Sequence, residues 1–335
     1  MQRRTRVSSA VAGLIALGLA CSACATGGVA DQAKGSAPPR PAVAETAYAP
    51  YVSATTAAGT DAAGSPDTYN LAFVTSAASD CTPLWGGTAA ANSDAVVSRA
   101  AALTGTGADL RVSFGGAAGT EAALACDSAE ELAGAYAEAL DAVGATKADF
   151  DIEGDALTDT VSVTRRNEAL ALLQEKRDLD VTYTLPVMPD GLEETGLAVL
   201  EDAVDRGVDL SAVNIMAMNY STSHGGDMGE YAEQAAAAVH DQLVDVLGLS
   251  RDAAWKALHI TVMIGVNDVA RETFTLADAA SLRSFATRRG VGALSLWASF
   301  RDQECGAGED TATASDSCSG VDQDAGAFGE ALSGG

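Results

Sequence analysis

Between about residues 46 and 335 the chain alternates two kinds of segment. Short runs dominated by apolar residues occur at Tyr48–Ser53, Tyr69–Thr75, Asp109–Phe114, Ala148–Glu153, Val181–Leu185, Ala212–Met218, His259–Ile264 and Gly292–Trp297. Each reads as a strand. Longer stretches between them read as helices. Asp127-Ser128-Ala129-Glu130 resembles a capping box opening a helix to about Val143, and others run near Val163–Lys176, Leu197–Arg206, Glu230–Leu247 and Leu276–Arg289. Thr275-Leu276-Ala277-Asp278 reads as a second cap, and Ala235–Val239 is an apolar stripe suited to plain core packing. Eight strands alternating with helices in about 290 residues predict an α/β chain folded as a (β/α)8 TIM barrel, with its chemistry at the C-terminal ends of the strands. No second domain and no repeat beyond this alternation is visible.

One strand breaks the apolar rule. Lys147-Ala148-Asp149-Phe150-Asp151-Ile152-Glu153 alternates three carboxylates with Ala, Phe and Ile. Alternate side chains of a strand share a face, so Asp149, Asp151 and Glu153 point one way. Neighbours on that face lie roughly 6–7 Å apart, and at an effective dielectric near 20 they repel by about 2.5 kcal/mol, close to two pK units. A solvated edge strand in an acidic protein is the bland explanation. A site that keeps one carboxyl protonated near neutral pH is the functional one, and Glu153 stands where a barrel places catalytic groups.

Charge and composition narrow the partners. The net charge is −26, with 46 acidic against 20 basic residues, which argues against nucleic acid and anionic membrane surfaces. Arg3, Arg4 and Arg6 precede the apolar run Val11 to Ala20, which is too short to span a bilayer, so residues 1–25 read as a signal peptide. Cleavage after Ala25 and lipidation of Cys21 or Cys24 both fit; either puts the mature chain outside the cytoplasm, secreted or held to the membrane by an N-terminal lipid. Residues 26–45, rich in Ala, Gly and Pro, read as a flexible linker to the domain at 46–335. In an oxidising compartment the four remaining cysteines are expected as two disulfides. The short C-terminal loop suggests Cys305–Cys318, which leaves Cys81–Cys126. No CxxC pair or histidine cluster suggests a metal, since His224, His240 and His259 are scattered.

Four stretches resemble glycoside hydrolase family 18, the chitinase-type barrels. Ser113-Phe114-Gly115-Gly116 matches that family's SxGG motif, whose glycines would let the backbone pass close beneath a sugar. Asp149-Phe150-Asp151-Ile152-Glu153 matches DxDxE, with Thr146 and Lys147 where the longer motif has Asp and Gly. Met216-Ala217-Met218-Asn219-Tyr220 is similar to the Met-x-Met-(Asp or Asn)-Tyr form of a bacterial and archaeal branch. Leu294-Ser295-Leu296-Trp297 ends the eighth strand with the Trp that would floor the subsite of the cleaved sugar. Asn267 and Asp268, after the seventh strand, suit either the cleft or a turn.

The resemblance implies substrate-assisted retaining hydrolysis of β-1,4-linked N-acetylglucosamine chains, with Glu153 as general acid and base, Asp151 holding the acetamido N–H and Asp149 sharing its proton. Ser113, Gly115, Gly116, Met216, Met218, Asn219, Tyr220 and Trp297 would bind substrate, with Tyr220 or Asn219 orienting the acetamido group. No cofactor is needed, and a monomer is expected. The same acids would serve an endo-β-N-acetylglucosaminidase acting on N-glycans. A non-catalytic sugar-binding barrel would be expected to lack the last Glu. Aromatic residues make up only 5% of the chain, with Trp85, Trp255 and Trp297 its tryptophans, which favours soluble oligomers over crystalline polymer. Trp85 suits a distal sugar platform or a cap on the Cys81 disulfide.

Overall fold

The computed structural model describes residues 45–77 and 80–334. The expected signal peptide, and the linker except for Glu45, lie outside the described residues. Eight parallel strands close into a barrel: β1 in two pieces, Ala47–Tyr48 and Tyr51–Ser53, then β2 (Thr68–Ser76), β3 (Asp109–Gly115), β4 (Lys147–Asp151), β5 (Asp180–Pro186), β6 (Leu210–Met216), β7 (Leu258–Met263) and β8 (Ala293–Trp297). All eight coincide with predicted strands. β1 is interrupted at Pro50, which has no amide hydrogen to donate. Its first piece pairs with β8 (Ala47↔Ala293) and its second with β2 (Tyr51↔Asn70), so the split strand closes the ring.

Helices α1 (Asp94–Thr104), α2 (Ala129–Val143), α3 (Thr160–Gln174), α4 (Glu194–Arg206), α5 (Met228–Val246) and α6 (Leu276–Arg289) follow β2 to β7 in turn. The connection from β1 to β2 contains turns and no helix. Helix α7 (Ala327–Ser333) packs on α6, β8 and β1. The sequence pattern did not predict α1 or α7. The buried face of α1 is Val96, Ala100 and Leu103 in an alanine-rich run where the contrast between faces is weak. Ser128 caps α2 by accepting from the Glu131 amide, while the Glu131 carboxylate accepts from the Asp127 amide. The Thr275–Asp278 capping box opens α6 as predicted.

Packing behind β4 explains why its polar and apolar residues separate. The Phe150 ring stacks on Phe114 at 5.1 Å, and Tyr136 of α2 meets both edge-on at 4.9 and 4.8 Å. With Ala148, Phe150 and Ile152 buried against the helical layer, the alternate carboxylates turn to the barrel interior. Below this cluster Arg166 is wholly buried and bonds Glu121 at 3.0 Å, and the Tyr136 hydroxyl donates to the same carboxylate at 3.1 Å.

Both predicted disulfides are present, Cys81–Cys126 and Cys305–Cys318. Trp85 does not offer a sugar platform: it is fully buried, and its indole N–H donates to the Ala91 carbonyl at 3.1 Å. His240 is buried and stacked on Trp255 with ring centroids 4.2 Å apart. Among the described residues no helix is long and apolar enough to cross a membrane.

Candidate active site

Asp149 is buried in the barrel interior, and its carboxylate is held from two other strands. The Tyr51 hydroxyl of β1 donates to Oδ2 at 2.9 Å, and Thr184 of β5 donates to Oδ1 at 2.5 Å. Asn214 of β6 donates in turn to Thr184 at 2.9 Å and to Thr261 of β7 at 2.8 Å. Burial raises the Asp149 pKa, and the hydrogen bonds with the nearby Arg111 charge pull the other way. Asp151 stands one turn of the pleat higher and is also buried, with its Oδ1 left without a hydrogen-bond partner. Burial first, then the charges of Glu153 and Asp149, hold its carboxyl well above the usual range. Glu153 lies beyond the strand end, half-buried, and its pKa is raised by burial and then by Asp268. The three acids form one ladder from the barrel interior to its mouth, and the charges of the outer two both act on Asp151 between them.

Above the ladder is a cleft of about 380 Å³. Its floor is Trp297, stacked on Phe73 at 5.4 Å and met edge-on by Tyr51 at 5.8 Å. Met188, Met216, Met218 and Met263 contribute polarizable walls. Tyr220 lines the cleft at 6% exposure, and its hydroxyl has no partner. Burial, then Glu272, raises the Tyr220 pKa, so the phenol remains a neutral donor. Its loop is fixed from behind, because the Tyr220 and Ser221 amides donate to the buried Glu272 carboxylate at 3.2 and 2.9 Å.

Asn219 borders the same cleft but spends its amide elsewhere. Its Oδ1 accepts from the Asp268 and Val269 amides at 3.0 and 3.3 Å, and its Nδ2 donates to Asp268 Oδ2 at 2.9 Å and meets Met263 Sδ at 3.8 Å. Its backbone takes φ +54°, a left-handed conformation that Asn tolerates better than most residues. Among the described residues the cleft lining includes four carboxylates, Asp151, Glu153, Glu193 and Asp268, and no Lys, Arg or His.

The structure therefore brings Asp151, Glu153, Met216, Met218, Asn219, Tyr220 and Trp297 to one cleft, with Asp149 directly beneath. Ser113, Gly115 and Gly116 are not part of its lining. Ser113 is buried beside Asp149 in the β3–β4 register. The glycines make room for protein atoms. A Cβ on Gly115 would sit 2.2 Å from the Asp151 carbonyl oxygen, and one on Gly116 would sit 2.8 Å from the Phe73 ring. Asn267 fills the turn role, donating to the Met263 and Gly265 carbonyls, while Asp268 enters the cleft.

Sequence reasoning missed Tyr51, Phe73, Thr184, Met188, Glu193, Thr261 and Met263. For Tyr51, Thr184 and Thr261, the available signal was a polar atom at an inward position of a buried strand; the others carried none. The one described group with metal-ligand residue types, Cys305, Glu309 and Cys318, contains the disulfide.

No protein-family model matches the chain. It is 35% identical over 284 residues to a protein of Escherichia coli strain K12 named as a probable bifunctional chitinase/lysozyme, across 79% of this chain and 32% of that protein. It is 34% identical over 283 residues to endochitinase 11 of Metarhizium anisopliae, across 79% of this chain and 54% of that protein. The chain thus spans about a third and about half of the length of these two relatives. Among solved structures, the catalytic domain of a hyperthermophilic chitinase from Pyrococcus furiosus superposes with a TM-score of 0.76 at 28% identity, over 87% of this chain and 94% of that one. Catalytic-site mutants of active domain 2 of the Pyrococcus furiosus chitinase, complexed with chito-oligosaccharides, superpose equally well. A GH18 chitinase from Pseudoalteromonas aurantia shares the fold alone, with a TM-score of 0.54 at 14% identity. These matches establish the TIM-barrel fold and similarity to chitinases.

Proposed function

We propose that this chain is an exported glycoside hydrolase that cleaves β-1,4-linked N-acetylglucosamine chains, with Glu153 as its general acid and base. The observation that carries the reading is the ladder Asp149–Asp151–Glu153 rising into a cleft lined by Trp297 and by Tyr220, whose buried hydroxyl has no partner among the described residues. Homology to chitinases supports the reaction class, and the N-terminal apolar run supports export.

A sugar with a 2-acetamido group, laid on Trp297, would meet Asp151 at its N–H and Tyr220 at its carbonyl. Glu153 gives its proton to the glycosidic oxygen as the C1–O bond breaks. The acetamido oxygen attacks C1 from the opposite face, and Asp151 accepts a hydrogen bond from the N–H as positive charge develops on the oxazolinium ring. Water then adds at C1, its proton returning to Glu153, and the ring opens with the original anomeric configuration. Asp149, hydrogen-bonded to Tyr51 and Thr184, shares a proton with Asp151. Asn219 has no free hydrogen-bonding capacity, which leaves Tyr220 to orient the acetamido group.

Hydrolysis of N-acetylchito-oligosaccharides by the purified mature protein, beside Glu153→Gln, tests this. Release of shorter β-anomeric products that vanishes in the variant is expected. Oligosaccharide binding without cleavage in both proteins points to a lectin, and inertness towards chito-oligosaccharides with cleavage of N-glycans shifts the substrate class.

A further inference from the structure

We infer that Asp268 is a positioning residue for Glu153: the loop after β7 delivers a second carboxylate to the cleft, and Asn219 is the clamp that holds it there. The inference rests on the proposed role of Glu153 as the acid.

The geometry is unusual for a loop side chain. Asp268 lines the same cleft as Glu153, and the Asn219 amide grips it at both ends, accepting from its backbone N–H and donating to Oδ2. A second amide from the same loop, Val269, bonds to the same Asn219 oxygen. The other carboxylate oxygen of Asp268 has no partner among the described residues. No described salt bridge neutralises it, although Arg301 stands nearby; the Arg301 guanidinium is turned to the Ile264 and Val266 carbonyls at 3.0 and 2.7 Å. Asp268 is solvent-exposed yet fixed in place by this clamp. Its carboxylate, after burial, raises the Glu153 pKa and so favours the protonated form a general acid needs.

The other ionisable groups around the cleft do not substitute for it. Asp151 lies at the end of β4 below Glu153, and its own carboxyl is pushed well above the usual range by burial, then by Glu153 and Asp149. Tyr51 and Tyr220 are neutral phenols with raised pKa values. Glu193 borders the cleft from the start of α4, but no hydrogen bond holds its side chain.

Asp268→Asn separates charge from structure, because an amide oxygen still accepts from Asn219 Nδ2. The alkaline limb of kcat/KM on a chito-oligosaccharide is expected to move towards acid, with activity on the acid side retained. The Glu153 carboxyl, followed without substrate by carbon-13 NMR of glutamate-labelled protein and assigned against Glu153→Gln, should titrate lower by the same amount. Asn219→Ala, which leaves the charge but releases it, should give a smaller shift in the same direction. Failure of the wild type to cleave any chito-oligosaccharide overturns the functional reading, and the NMR titration still decides the Asp268–Glu153 coupling. An unshifted Glu153 titration in Asp268→Asn overturns the inference. So does a wild-type pH profile in Asp268→Asn with lost activity in Asp268→Ala, since that marks a purely structural residue.

Discussion

Gly115→Ala is expected to damage both the stability and the chemistry of this barrel. Gly115 ends β3 with φ +91°, and a Cβ there would lie 2.2 Å from the Asp151 carbonyl oxygen. A left-handed backbone costs an L-residue about 1–2 kcal/mol. The overlap requires a retreat of roughly an ångström by a backbone atom in a strand paired on both sides, which is worth about another 1–3 kcal/mol as overpacking. The Gly116 amide bond to the same carbonyl, at 3.2 Å, is strained as well. Together these predict a loss of about 3–5 kcal/mol. The carbonyl belongs to Asp151, so the shift also moves the acid ladder, and an ångström of misplacement costs about a hundredfold in rate. Urea denaturation followed by tryptophan fluorescence, paired with chito-oligosaccharide hydrolysis by the folded fraction, measures both effects. Gly116→Ala is the control: its Cβ meets only the Phe73 ring, which can tilt, so the loss should be smaller. A Gly115→Ala protein within about 0.5 kcal/mol of wild type and with wild-type turnover would refute the argument that β3 and β4 leave no space there.

Three further outcomes are expected. Glu121→Gln leaves the buried Arg166 guanidinium without a counter-charge and should cost about 3–5 kcal/mol in urea while sparing turnover per folded molecule; an unchanged midpoint would mean that the pair is solvated. Asp151 holds its proton to higher pH folded than unfolded, so its contribution to stability is fully present below about pH 4 and is lost as pH rises through its folded value. Asp151→Asn should then be more stable than wild type at neutral pH and show a flatter midpoint-versus-pH curve, and parallel curves would contradict this. Cys81→Ser with Cys126→Ser opens a loop spanning 45 residues, worth about 4 kcal/mol by loop-closure entropy, against about 3 for the 13-residue separation of Cys305–Cys318; thermal unfolding of the two double variants should rank them in that order.

The barrel was legible because its strands are buried on both faces and its helices have polar breaks, so even β1, with Pro50 inside it, registered as a strand. The acid ladder was legible because charge is rare inside such strands. Two kinds of residue were hidden in whole or in part. Tyr51, Thr184 and Thr261 face inward, but their polar atoms are single hydroxyls on residues that also favour ordinary strands. Glu193, at the start of α4, carried no local signal, and the choice between cleft and turn for Asp268 depends on contacts such as the Asn219 clamp that no local pattern encodes. The glycines of Ser113–Gly116 were visible, but the protein atoms that crowd them, the Asp151 carbonyl and the Phe73 ring, were not.

Tyr51 touches two systems that are otherwise separate. Its ring edge supports Trp297 and its hydroxyl holds Asp149. A change that reshapes the floor through this side chain therefore also alters the buried acid, and a change that retunes the acid disturbs the floor. Binding shape and proton inventory are thus linked at one residue. Variation in what the cleft accepts should arise at Met188, Met218 or Glu193, which border it without reaching the ladder, while substitutions at Tyr51 should be tolerated only alongside compensating changes on β4 or β8.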